Sequence, residues 1–155
     1  MMNIQDMLKK EFVIGDLKSR TKKEVLIELT DVFQHGDTGI DRNAVIDVLL
    51  EREKLGSTGI GDGIAIPHGK LPVLDKLVVS FGRSVTGVDF DSLDGRPVHI
   101  FFLLLAPENS AGLHLKALAR ISRMLKDISF RESLINADSP ESIYNLIVEK
   151  DPADI

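Results

Sequence analysis

Gly59-Ile60-Gly61-Asp62-Gly63-Ile64-Ala65-Ile66-Pro67-His68-Gly69-Lys70 is the stretch on which the reading of this chain turns. Three alternating glycines lead into a short apolar run, residues 64–66, that reads as a buried strand. Pro67 fixes its own φ and disfavours the α region for Ile66, so the strand ends stiffly there. Gly69 lets the backbone turn away at once. An imidazole is thus presented at the tip of a strand, on a rigid mount, with no bulky residue directly after it. A side chain held that way is suited to reacting or to binding.

Outward from this stretch, the pattern upstream is helical. Thr21-Lys22-Lys23-Glu24 has the form of a capping box, and Val25, Leu26, Leu29, Val32 and Phe33 follow at helical spacing. Gly36 and Gly39 break that helix. Asp41 can cap a second one whose apolar face holds Val45, Val48 and Leu49, with Gly56 just past its end. Downstream the period shortens: residues 77–81 and 98–105 are strand candidates, and 85–90 is a weaker one interrupted by Gly87. Asp94-Gly95 supplies a turn between apolar segments. After Pro107 a helix carries Leu113, Ala117, Leu118, Ile121 and Leu125 on one face. Ser139-Pro140 opens a last helix, cap then proline, with Ile143, Leu146 and Ile147 inward. Helices outside and strands inside one contiguous core predict an α/β sandwich with a mixed sheet, a single domain over residues 1–155.

Composition limits the function classes. Of 155 residues, 43% are apolar and 28% charged, ordinary for a globular protein with a real core. The formal net charge of −5 gives nucleic-acid binding no support and suits a basic protein partner better. Cysteine is absent, which removes disulfides, thiol catalysis and thiolate metal sites. The N-terminus has no apolar signal core and no stretch approaches the ~18 apolar residues of a membrane span. The expectation is a cytoplasmic protein without direct membrane insertion.

Four histidines are the candidates for chemistry. His35 beside Gly36 reads as a helix-end side chain and His99 as a structural histidine in a strand. His68 has the backbone setting described above. His114 opens the helix after the longest strand, near flexible Asn109-Ser110-Ala111-Gly112, where α/β folds gather ligand sites. By itself it reads as a surface histidine ahead of a functional one. No His-x-x-x-His pair exists and no carboxylate stands out as a third ligand, so a metal is not expected. Gly-x-Ser-x-Gly is missing. The glycines are spaced two by two, without a following Gly-Lys-Ser/Thr, and Asp62 would repel a phosphate, which argues against a nucleotide loop.

What remains is histidine acting as the nucleophile. Neutral imidazole offers a nitrogen lone pair near pH 7 without a base to activate it. Attack on phosphorus would give an energy-rich phosphoramidate. Such a site needs an acceptor for the other ring nitrogen, and donors or cations for the phosphoryl charge. It must also be shallow enough for a protein donor to reach. His114 can supply one donor; Arg52, Ser57, Thr58 and Gly69 are the other candidate contacts. Arg52 is also favourable simply as a cation at a helix C-terminus.

These residues resemble the enzyme IIA of the fructose/mannitol class of the bacterial phosphotransferase system. The resemblance lies in Glu51-Arg52-Glu53, Thr58-Gly59-Ile60-Gly61, Ile64-Ala65-Ile66-Pro67-His68-Gly69, the segment from Phe90 to Val98, and His114-Leu115 at a helix head. It implies that His68 accepts phosphate from an HPr-type phosphocarrier, with His114 the second active-site histidine and Arg52 the site arginine. It implies a central mixed, roughly five-stranded sheet flanked by helices, and no cofactor. No IIB, IIC or HPr-like segment accompanies the IIA-like sequence, so a freestanding IIA is expected. The run from Thr58 to Lys70 is most like the nitrogen-related, regulatory branch, in which phosphorylation state governs the choice of protein partner. A fructose-type IIA passing phosphate to a IIB component for sugar uptake shares nearly all these residues. A domain that only binds partners is a third expectation, against which retained Arg52, His68 and His114 argue.

Overall fold

The computed structural model describes residues 3–35 and 38–151. The expectations for Gly36 and for the His35 side chain lie outside the described residues. Among the described residues the strands are β1 (Val13–Ile14), β2 (Gly59–Gly61), β3 (Ile64–Ala65), β4 (His68–Leu71), β5 (Val78–Val88) and β6 (Val98–Pro107). The helices are α1 (Lys22–Asp31), α2 (Arg42–Lys54), α3 (Ala111–Met124), α4 (Ile128–Asn136) and α5 (Pro140–Lys150).

Helix starts follow the local signals. The Thr21 hydroxyl accepts from the Glu24 N–H at 3.3 Å and caps α1; Asp41 accepts from the Asn43 N–H and caps α2. Ser139 caps α5 with Pro140 at its first turn. α4 was not expected from sequence; its start is marked by Asp127, whose carboxylate accepts from the Ser129 and Phe130 N–H groups.

The six strands form one mixed sheet in the order β1-β5-β6-β3-β2, with β4 also paired to β6. β5 and β6 are antiparallel; β1 is parallel to β5, and β3 and β4 are parallel to β6. β3 and β4 are two pieces of one rank. Ile64 pairs with Ile100 and His68 with Leu104, the same offset on both sides of Pro67. The proline removes one donor, but its carbonyl accepts from the Leu104 N–H at 2.9 Å and the line continues. The six strands therefore make five ranks, and His68 begins a second strand segment instead of ending the first. This corrects the reading of Pro67 as a stiff stop.

Two other strand expectations change. Residues 77–81 and 85–90 do not form separate strands; β5 runs through both, with a register shift between Arg83 and Val88. Gly87 sits in that bulge at φ 89°, and a Cβ there would lie 2.8 Å from Pro97. The glycines ahead of His68 are not a lead-in but a hairpin. Asp62 and Gly63 both take positive φ, 57° and 77°, and join β2 to β3 by the two-residue turn that Asp-Gly favours.

Side-chain alternation sorts the layers. Ser80 donates to the Leu29 carbonyl and a Cβ on Gly82 would meet Leu17 and Leu29, so that face of β5 lies under α1. Arg83 points the other way and donates to the carbonyls of Gly15, Leu134, Ile135 and Ala137. It thereby satisfies the open C-terminal carbonyls of α4. β6 is buried over nearly its whole length, as a strand covered on both faces must be. Edge-to-face pairs of Phe81 with Phe102 and of Phe90 with Phe101 tie the centre together.

Candidate active site

β4 displays His68 and Lys70 on one face and Gly69 and Leu71 on the other. On the second face α2 comes so close that a Cβ on Gly69 would lie 2.5 Å from Val48 Cγ1. On the first face stands α3. The His68 and His114 rings lie edge to face, centroids 5.3 Å apart and planes at 81°. His114 is in the first turn of α3, its N–H bonded to the Ser110 carbonyl at 2.9 Å. Its side chain is directed inward, and the residue is only 6% exposed. The surface alternative for His114 is thereby excluded by the way α3 packs.

Nδ1 of His68 lies 2.8 Å from the Ile66 carbonyl. A carbonyl only accepts, so Nδ1 carries the proton and Nε2 the lone pair. Burial lowers the pKa of His68; the bond to Ile66 opposes this, Arg52 adds to it and Glu53 offsets it. His114 is pushed down to about 4, first by burial, then by His68 and Lys70. Both imidazoles are neutral at pH 7. His114 Nε2 is buried and has no hydrogen-bond partner among the described residues. A buried nitrogen with none is uncommon, and here it belongs to the ring packed against His68.

Arg52 lies in the last turn of α2, where its guanidinium donates to the Gly56 carbonyl at 2.9 Å while its charge bears on His68. The Ser57 hydroxyl donates to the Phe90 carbonyl at 2.7 Å and accepts from the Gly59 N–H. The Thr58 hydroxyl donates to Glu53. Each hydroxyl has one proton, so both are committed within the protein in this arrangement. The structure brings together His68, His114 and the charge of Arg52, and places Ser57, Thr58 and Gly69 as supports around them.

Glu53, in the Glu51-Arg52-Glu53 motif, belongs to the same surroundings, and the motif alone assigns it no role. One signal was available: a carboxylate in the last turn of a helix opposes the helix dipole and needs a compensating partner. That partner is Lys22, 2.9 Å away. His99 has a local role, its Nδ1–H donating to the Ser84 carbonyl at 2.8 Å. Among the described residues no group of three or more metal-ligating side chains converges, and no helix is long and apolar enough to cross a membrane.

Residues 6–150 match the family described as phosphoenolpyruvate-dependent sugar phosphotransferase system, EIIA 2. The chain belongs to this family. It is 45% identical over 146 residues to a nitrogen regulatory protein of Bradyrhizobium diazoefficiens, covering 94% of this chain and 95% of that protein. It is 38% identical over 150 residues to the fructose-specific EIIABC component of Bacillus subtilis, covering 97% of this chain and 24% of that protein. In three dimensions it is similar to the nitrogen regulatory protein IIA-Ntr from Neisseria meningitidis, with a TM-score of 0.87 and 34% identity over 93% of this chain and 98% of that one. The EIIA fold therefore accounts for the sheet of five ranks, and EIIA membership for a phosphocarrier role of the phosphotransferase-system kind.

Proposed function

We propose that this EIIA-type chain is a histidine phosphocarrier that accepts a phosphoryl group on Nε2 of His68 from an HPr-type phosphocarrier protein, and that it works as a nitrogen-related regulator. The observation that carries the proposal is the His68–His114 pair. One ring has its proton tied to Ile66 and its lone pair on Nε2; the other has a buried Nε2 without a partner among the described residues. In the transfer the Nε2–P bond forms as the carrier's N–P bond breaks, and the electron pair leaves with the carrier's nitrogen. The Nδ1 proton stays on His68, so no base is required. Positioning and charge stabilisation do the work. His114 donates to the phosphoryl oxygens and Arg52 offsets their charge, while Ser57 and Thr58 hold the 57–59 segment and Gly69 lets α2 approach β4.

Similarity to a nitrogen regulatory protein over nearly the whole length of both chains supports the regulatory branch. Similarity to the fructose-specific component supports a second reading, onward transfer to a IIB cysteine for sugar uptake. The test uses phosphoenolpyruvate, enzyme I and a phosphocarrier, with intact-mass analysis. An acid-labile, phosphate-sized gain is expected on the wild type and none on His68→Ala; equal labelling of both would sink the assignment. The labelled protein is then mixed with a fructose-type IIB. Retained phosphate favours the regulator, and rapid loss to IIB favours the sugar route.

A further inference from the structure

Glu53 occupies its place against two costs. It lies in the last turn of α2, at the negative end of the helix dipole, and its side chain is only 5% exposed. The surroundings compensate it. Lys22 Nζ is 2.9 Å away and also sits over the Phe90 ring at 4.8 Å. The Thr58 N–H donates to Glu53 Oε1 at 3.1 Å and the Thr58 hydroxyl to Oε2. Thr58 in turn holds the strand that leads to the nucleophile, its carbonyl accepting from the Ile66 N–H at 3.0 Å. The Ile66 carbonyl then accepts the Nδ1 proton of His68 at 2.8 Å. Four residues separated in sequence thus form one connected path from the end of α2 to the imidazole.

We propose that Glu53 is a positioning residue for His68: it fixes Thr58, Thr58 fixes Ile66, and the Ile66 carbonyl decides which nitrogen of His68 carries the lone pair. The consequence for transfer rests on the phosphate-acceptor reading given above, but the structural claim does not. If the path slackens, the Nδ1–H bond loses its alignment and the Nε2–H tautomer competes. In that tautomer the outward nitrogen has no lone pair to attack with. What matters in this path is the reach of the side chain at position 53. Glutamine keeps that reach: its Oε1 can accept from the Thr58 N–H and its Nε2–H can donate to a rotated Thr58 hydroxyl. Aspartate keeps the charge and loses a methylene of reach.

The test compares wild type, Glu53→Gln, Glu53→Asp and Glu53→Ala. The tautomer of His68 is read from its ring 15N resonances in the unphosphorylated protein, and the initial rate of labelling by the phosphocarrier is measured beside it. Glu53→Gln is expected to keep the Nδ1–H tautomer and to label within about threefold of wild type. Glu53→Asp and Glu53→Ala are expected to mix the tautomers and to label about tenfold more slowly or worse, as misplacement of a reacting group does. Should Glu53→Ala fail to fold, the contrast between Gln and Asp still decides. Aspartate behaving as wild type in both readouts overturns the proposal, as does glutamine as impaired as aspartate, which would make the charge the active property. A wild type that takes no phosphate defeats the phosphocarrier reading alone, because the tautomer contrast is scored without it.

Discussion

The two site histidines divide the chemistry by what surrounds each ring. His68 owes the lone pair on Nε2 to a carbonyl two residues before it, and His114 its neutrality to burial. The pKa of about 4 at His114 has a consequence for stability. An unfolded histidine titrates near 6.5, so between the two values the unfolded chain binds more protons. Stability is therefore full above the higher value and is lost as pH falls toward the lower one, with His68 acting in the same direction. Urea midpoints from pH 7 to 4 should fall more steeply for wild type than for His114→Gln; parallel curves would place the acid sensitivity elsewhere. A phosphoryl group on His68 would bring about two negative charges beside His114 and favour its charged form. NMR titration of labelled protein should find the His114 pKa raised well above that of the unlabelled protein. No change would mean that His114 does not contact the phosphoryl group.

At the scale of elements, the site is built where two helices close on one short strand from opposite faces. Gly69 sets how near α2 lies to β4, and Arg52 is one helical turn beyond Val48, on the same stripe of α2. Gly69→Ala should push Val48 outward and carry Arg52 with it, costing about 1–3 kcal/mol as overpacking does. Labelling should slow in the same variant. Gly112 in α3 is the contrasting case, since an added Cβ meets nothing within 4 Å. Gly112→Ala should gain about 0.5–1 kcal/mol from reduced backbone freedom. Denaturant unfolding of the two variants checks both signs, and a tolerated Gly69→Ala would show that α2 has room to shift without cost.

Across the whole molecule, the acidic balance faces whatever docks. The chain carries a net charge of −5, and Asp89, Asp91 and Asp94 stand exposed on the loop that packs against residues 57–59. Exposed Leu55, three residues past Arg52, and Leu113 and Leu115 on either side of His114 add apolar contact among those charges. A basic phosphocarrier would be steered by this field. The second-order rate of labelling should therefore fall several-fold as salt rises from about 0.05 to 0.5 M. A rate indifferent to salt would leave docking to the apolar contacts. Behind the site, Asp151 holds the far side together: its carboxylate pairs with Arg120 of α3 at 2.5 Å and accepts from the Ile4 N–H at 2.7 Å. This contact fixes α3, and so His114, to both ends of the described chain.

Several features were decided within a few residues and could be read directly. The caps at Thr21, Asp41 and Ser139 and the long central strand are of this kind, because a cap or a run of apolar residues depends on neighbours a few positions away. Asp62-Gly63 was equally legible as a hairpin turn, and the alternating glycines around it obscured the signal. Other features depended on residues far apart in the chain. Pro67 reads locally as a stop, yet the strand passes it because β6 supplies partners on both sides. His114 reads as a surface residue until α3 packs against the sheet and turns it toward His68. Glu53 acquires its place from Lys22 and Thr58, which only the folded chain brings beside it. Residues 59–70 alone single out His68 as the candidate side chain, because its glycine and proline neighbours lie within a few positions of it. Which nitrogen of His68 carries the lone pair, and which ring stands opposite it, follow only from the fold, because hydrogen-bond direction and burial belong to the packed chain.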